Sequence, residues 1–64
     1  MTEKQYDRLC ERAKKYGYVK TLDGAELVYW GVTRYGETYS IKSSNGNSIG
    51  GFMTKSEAKF YYVD

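Results

Sequence analysis

The chain of 64 residues has no histidine, no proline and a single cysteine, Cys10. One cysteine excludes an internal disulfide, and without histidine the usual nitrogen and sulfur ligand sets for zinc cannot be assembled. The same gap removes the commonest general base and leaves no Ser-His-Asp or Cys-His set. Gly50-Gly51 does not sit in a phosphate-cradling loop pattern and reads instead as a site of close packing over Trp30 or a bulge. The expectation is therefore a non-enzyme with no catalytic residue, no cofactor and no metal. No apolar run approaches about 18 residues and the N-terminus lacks a secretory pattern, so a soluble, cytoplasmic protein with no membrane partner is expected. A chain this short supports one domain, and residues 1–64 read as a single small binding domain. It buries only about 60% of its unfolded surface and has no covalent staple.

What the sequence has in excess is tyrosine, eight residues in 64. A core this small cannot hide them all, and tyrosine supplies broad, stiff contact area with a polar tip, as binding surfaces use it. Cys10, in contrast, lies on an apolar helical stripe and reads as a small core residue rather than a nucleophile.

Thr2-Glu3-Lys4-Gln5 has the spacing of a capping box, which predicts a helix over residues 3–16. Tyr6, Leu9, Cys10, Ala13 and Tyr16 recur at three- and four-residue spacing as its buried stripe, and Gly17 can take the left-handed stop. Asp23-Gly24, Tyr35-Gly36 and Asn45-Gly46 then punctuate runs rich in β-branched and aromatic residues, the pattern of successive hairpins. Two-residue turns at these three points set Val19 opposite Val28, Val32 opposite Tyr39, Trp30 opposite Ile41, and Tyr39 opposite Phe52. All of these residues then fall on one inward face. The outward face would carry Tyr18, Lys20, Leu27, Tyr29, Thr33, Thr38, Ser40, Lys42 and Ile49. Thr54-Lys55-Ser56-Glu57 is a second capping box and predicts a closing helix over about 55–62, with Ala58, Tyr61 and Tyr62 inward. The fold class expected is α+β: an N-terminal helix, a four-stranded antiparallel meander and a short C-terminal helix, both helices on one sheet face.

Trp30-Gly31-Val32-Thr33-Arg34, Tyr39-Ser40-Ile41 and Gly50-Gly51-Phe52-Met53-Thr54 with Glu57-Ala58 resemble the three-stranded-sheet-plus-helix DNA-binding domain of plant ethylene-response factors. They are similar in the same way to the arm-binding domains of phage and transposon tyrosine integrases. The resemblance spans about residues 29–62. In those families the exposed sheet face enters the DNA major groove, where Arg, Lys and Trp side chains touch bases and phosphates. It implies Thr33, Arg34, Thr38, Ser40 and Lys42 as contact residues, although the families place more Arg and Lys on these strands than this chain does.

Charge separates two kinds of nucleic-acid binding. Residues 1–16 hold five cations against three anions, with Lys4, Arg8, Arg12 and Lys15 forming a stripe that is either a solvated helix face or a set of phosphate contacts. Residues 17–64 hold five cations against five anions. Duplex affinity grows with the number of phosphates neutralised, so a neutral sheet half binds duplex DNA weakly. Stacking of single-stranded bases on aromatics needs less charge, and the expected platform is Tyr18 opposite Tyr29, flanked by Lys20 and Lys42. Two functions follow. One is a nucleic-acid-binding module of phage or mobile-element type. The other is a phage-encoded inhibitor, anti-CRISPR-like, that docks on a host protein or ribonucleoprotein in the host cytoplasm. In either case a monomer or a weak homodimer is expected.

Overall fold

The computed structural model describes residues 1–21 and 23–63. Leu22, the expected end of the first strand, and the charge of Asp64 lie outside the described residues. The elements are α1 (Glu3–Tyr16), β1 (Tyr18–Lys20), β2 (Glu26–Thr33), β3 (Gly36–Lys42), β4 (Ser48–Thr54) and α2 (Lys55–Ala58), followed by a 3-10 turn at Lys59–Tyr61. The four strands form one antiparallel sheet in sequence order. The chain is thus an α+β domain of the expected layout. Among the described residues no helix is long and apolar enough to cross a membrane.

Both capping boxes form. Thr2 accepts from the Gln5 amide while Gln5 reaches back to the Thr2 amide, and Thr54 and Glu57 do the same at α2. The four orphan amides of a helix start explain why these residue types sit there. Gly17 ends α1 with φ 89°, the left-handed conformation that favours glycine. Tyr6, Cys10 and Ala13 bury the α1 stripe, Leu9 packs on its margin, and Tyr16 stays in solvent under the Lys15 ammonium. The closing helix is shorter than expected, tightening after Ala58 so that the Tyr62 and Val63 amides both donate to the Lys59 carbonyl. Ala58 and Tyr62 turn inward as expected, but Tyr61 is exposed.

The largest correction concerns the sheet: β1 and β3 face as expected, with Val19, Tyr39 and Ile41 inside, whereas β2 and β4 turn the opposite face to the core. The core is Val19, Leu27, Tyr39, Ile41 and Met53 beneath Tyr6, Cys10, Ala13 and Ala58, with Tyr29 and Ile49 packed at its margin. Val28 is half-buried, and Trp30, Val32 and Phe52, all expected inside, are exposed. Side chains alternate with period two, so a slip of one residue moves a whole strand's apolar set to the other face. Such a shift occurs in each hairpin. The first connection is a five-residue loop, 21–25, closed by Lys20 opposite Glu26, so Val19 faces Leu27 rather than Val28. In the third, Ser43–Asn47 is also a five-residue loop and Ile41 meets Ile49. In the second the tip turn moves to Arg34-Tyr35, which changes partners but not faces. An extra residue between Tyr29 and Gly31 then brings Tyr29 opposite Tyr39 and Leu27 opposite Ile41. That bulge turns Trp30 outward, with Gly31 at φ 122°. A second bulge, between Ile49 and Met53, adds two residues to β4. An even number preserves the face, so Met53 stays inside and Phe52 outside.

The two five-residue loops share one chemistry. The Thr21 hydroxyl is held between the Asp23 carboxylate and the Ala25 carbonyl, and the Ala25 amide donates to Asp23. Ser43, Asn45 and Asn47 repeat the same bonds. A hydroxyl two residues before Asx-Gly lets a side chain brace the wider loop.

Tyr6 ties the helices together: its hydroxyl donates to the Lys55 carbonyl at 2.5 Å and its ring stacks on Tyr62. Burial pushes the Tyr6 and Tyr39 hydroxyls and the Cys10 thiol upward, and the Tyr62 hydroxyl up to about 12. Cys10 is therefore kept as an unreactive thiol, in line with its place in the core.

At one end of the core Glu37 accepts from Lys14 at 2.7 Å and from the Tyr39 hydroxyl at 2.9 Å. These bonds, the Lys14 one first, hold its carboxyl below the usual carboxylate value. A group with a depressed folded pKa stabilises the fold above its unfolded pKa, and that contribution disappears as pH falls through the folded value. Acidification below about pH 4 is expected to lower the wild-type melting temperature more steeply than that of Glu37→Gln, as read by circular dichroism. Equal slopes would show that the bridge adds nothing.

Candidate nucleic-acid interface

With α1 and α2 covering one side, the other side of the sheet is open. Its side chains fall in three bands. Near the five-residue loops Lys20, Glu26 and Lys42 stand in register across β1, β2 and β3. Glu26 lies 3.9 Å from Lys20, a loose surface pair of little energetic weight. In the middle Tyr18 lies opposite Val28, and Val28 opposite Ser40. Trp30 lies over Ser40, donating its indole N–H to the Ser40 hydroxyl at 2.7 Å. Its ring meets Phe52 edge to face, centroids 5.3 Å apart and planes at 82°. The indole is 57% exposed, Phe52 70% and Tyr18 53%, so β1, β2 and β4 each present one aromatic to solvent. Toward the tip Arg34 lies over the ring of Tyr35, its guanidinium carbon 5.2 Å from the centroid.

Beside the Trp30–Phe52 pair runs a cleft of about 730 Å³, lined among others by Val32, Thr38, Thr54 and Glu57. Glu57 enters it because the capping box fixes one carboxylate oxygen on Thr54, accepting from both its amide and its hydroxyl at 3.1 Å.

The sequence-expected contact residues separate into groups. Tyr18, Lys20, Arg34 and Lys42 are exposed on or beside the open face. Ser40 is on it but committed to Trp30. Thr33 and Thr38 brace the tip, their hydroxyls 3.3 Å apart, and Thr38 is buried. Tyr29 is on the wrong side for the expected platform: it is half-buried against Tyr39, rings 5.3 Å apart, because the Trp30 bulge rotates it inward. Lys4, Arg8, Arg12 and Lys15 are exposed on α1, the layer behind the sheet, and do not join the open face. Trp30, Val32 and Phe52 are the sheet residues the sequence reading missed as surface groups. Gly31 is the signal that marks the first, since a glycine within a strand pattern often marks a bulge.

The fold also redistributes charge. Glu37 shares the helix side with Tyr39, two residues on in β3, and pairs there with Lys14, so the open face has Lys20, Arg34 and Lys42 against Glu26, and Glu57 at the cleft. Among the described residues no group of three or more His, Cys, Asp or Glu side chains is placed to hold a metal ion. Compared with protein-family models, curated proteins and solved structures, the chain matches none.

Proposed function

We propose that this chain is a non-catalytic module that holds single-stranded nucleic acid on its open sheet face. The observation that carries the reading is the outward Trp30–Phe52 pair, joined by Tyr18 and flanked by Lys20, Arg34 and Lys42. Each base stacked on such a ring gains about 1–3 kcal/mol, whatever its sequence, while two or three cations follow the backbone. Duplex DNA offers no exposed base faces to these rings and would have to rely on those few cations alone. The resemblance to sheet-face DNA binders agrees on the surface used and differs on the strandedness of the ligand.

Trp30 is the sole tryptophan, so its fluorescence reports directly on the platform. Titration with a single-stranded dT octamer in about 50 mM salt is expected to quench it. With two or three phosphates neutralised, affinity should fall roughly tenfold by about 200 mM. A duplex of the same length should quench far less. No quenching by the single strand in low salt would reject the reading. Phe60 and Tyr61, both exposed, carry the apolar surface past Phe52. That continuity favours docking on a host protein as the second reading, in which case oligonucleotides leave the fluorescence unchanged.

A further inference from the structure

We infer that the cleft beside the platform takes one splayed base and selects guanine. This rests on the single-strand reading above. At about 730 Å³ the cleft has room for a nucleobase, and Trp30, Val32 and Phe52 give it apolar walls on which a base can lie. Its polar groups are hydroxyls and one carboxylate. Thr33, Tyr35, Thr38 and Thr54 are its hydroxyl-bearing residues, Glu57 is its one charged residue, and among the described residues no Lys or Arg lines it. A phosphate is repelled there, so the backbone runs along Lys20, Arg34 and Lys42 and a base points inward.

Glu57 decides which base. One of its oxygens is held by the Thr54 amide and hydroxyl, and the other has no hydrogen-bond partner among the described residues. A carboxylate locked in place by its own cap is a preorganised acceptor, and on a nucleobase edge the donors it can take are N–H groups. Guanine presents N1–H and N2–H side by side on its Watson–Crick edge. Adenine and cytosine set a lone pair next to their amino group, and thymine offers a single N–H between two carbonyls. Recognition of single-stranded bases through that edge is how RNA- and ssDNA-binding modules acquire sequence preference.

The test compares dT octamers carrying one central dG, dA or dC, titrated against Trp30 fluorescence. The wild-type protein is expected to bind the dG octamer about tenfold tighter than the dA or dC octamer, because both guanine N–H groups can converge on the one free charged oxygen while adenine and cytosine set a lone pair against it. In Glu57→Gln the ratio should collapse to within about twofold. Ratios are read within each protein, so a change in overall affinity cancels. Gln keeps the cap, since α1 of this same chain uses Gln5 in the equivalent position, and circular dichroism checks the fold. Equal binding of all three octamers by the wild type, or a dG preference that survives in Glu57→Gln, overturns the inference while the platform stands. Absence of quenching by every octamer removes the platform and the inference together.

Discussion

Tyr39→Ala is expected to leave most of the protein unfolded at 25 °C. Tyr39 is fully buried, packs edge to face on Tyr29, and donates its hydroxyl to Glu37. Truncating a buried aromatic to alanine costs about 3–5 kcal/mol through lost transfer energy and the cavity left behind. A domain of this size has only about 3–10 kcal/mol of stability to lose. Cys10, Ile41 and Met53 in the same cluster cannot collapse to fill a ring-sized void without leaving their own contacts. Urea titration followed by circular dichroism measures the loss. Tyr39→Phe, which keeps the ring and gives up the bond to Glu37, should cost about 1 kcal/mol. A Tyr39→Ala midpoint close to wild type would mean that the core does not lie between this face and α1.

Trp30→Ala is expected to do the opposite, sparing the fold and removing the ligand. The indole is more than half exposed. It contributes to stability mainly its edge contact with Phe52 and its bond to Ser40, each worth about 1 kcal/mol. One stacked base is worth about 1–3 kcal/mol, so affinity for a labelled dT octamer should fall between about fivefold and 150-fold. Anisotropy of the label is the readout, because the variant has no tryptophan. Phe52→Ala should weaken binding in the same range, with Trp30 fluorescence still available to follow it. If Trp30→Ala unfolds, the indole is a core residue after all. If it binds as tightly as wild type, the platform lies elsewhere.

Both helices were legible in the sequence because their signals are local. A Thr with Gln or Glu three residues on satisfies amides within one turn, and the Tyr6, Cys10, Ala13 stripe needs only the helical period. The number and order of the strands were legible from the spacing of Gly-terminated turns. Which side of the sheet is the inside was not, because a face depends on whether each connection holds an odd or even number of residues. Asp23-Gly24 and Asn45-Gly46 read as two-residue turns. Thr21 and Ser43, each two residues upstream, bond into the loops and widen them to five. The outward turn of Trp30 came from one extra residue beside Gly31. Consistent registers among three assumed turns did not protect the assignment, since the faces they predicted were tied to the same assumption of turn length.

By itself, then, the sequence determined the two-layer composition of this protein, its capped helices and the place of Cys10 on the buried helical stripe. All of these follow from residue type and short-range spacing. Only the tertiary structure decided that Leu27, Tyr29 and Ile49 go in while Trp30 and Phe52 come out, and that Glu37 meets Lys14. The physical reason is that α1 and α2 cover one side of the sheet, and the five-residue loops with the bulge at Trp30 set which residues of β2 and β4 face it and which stay in solvent.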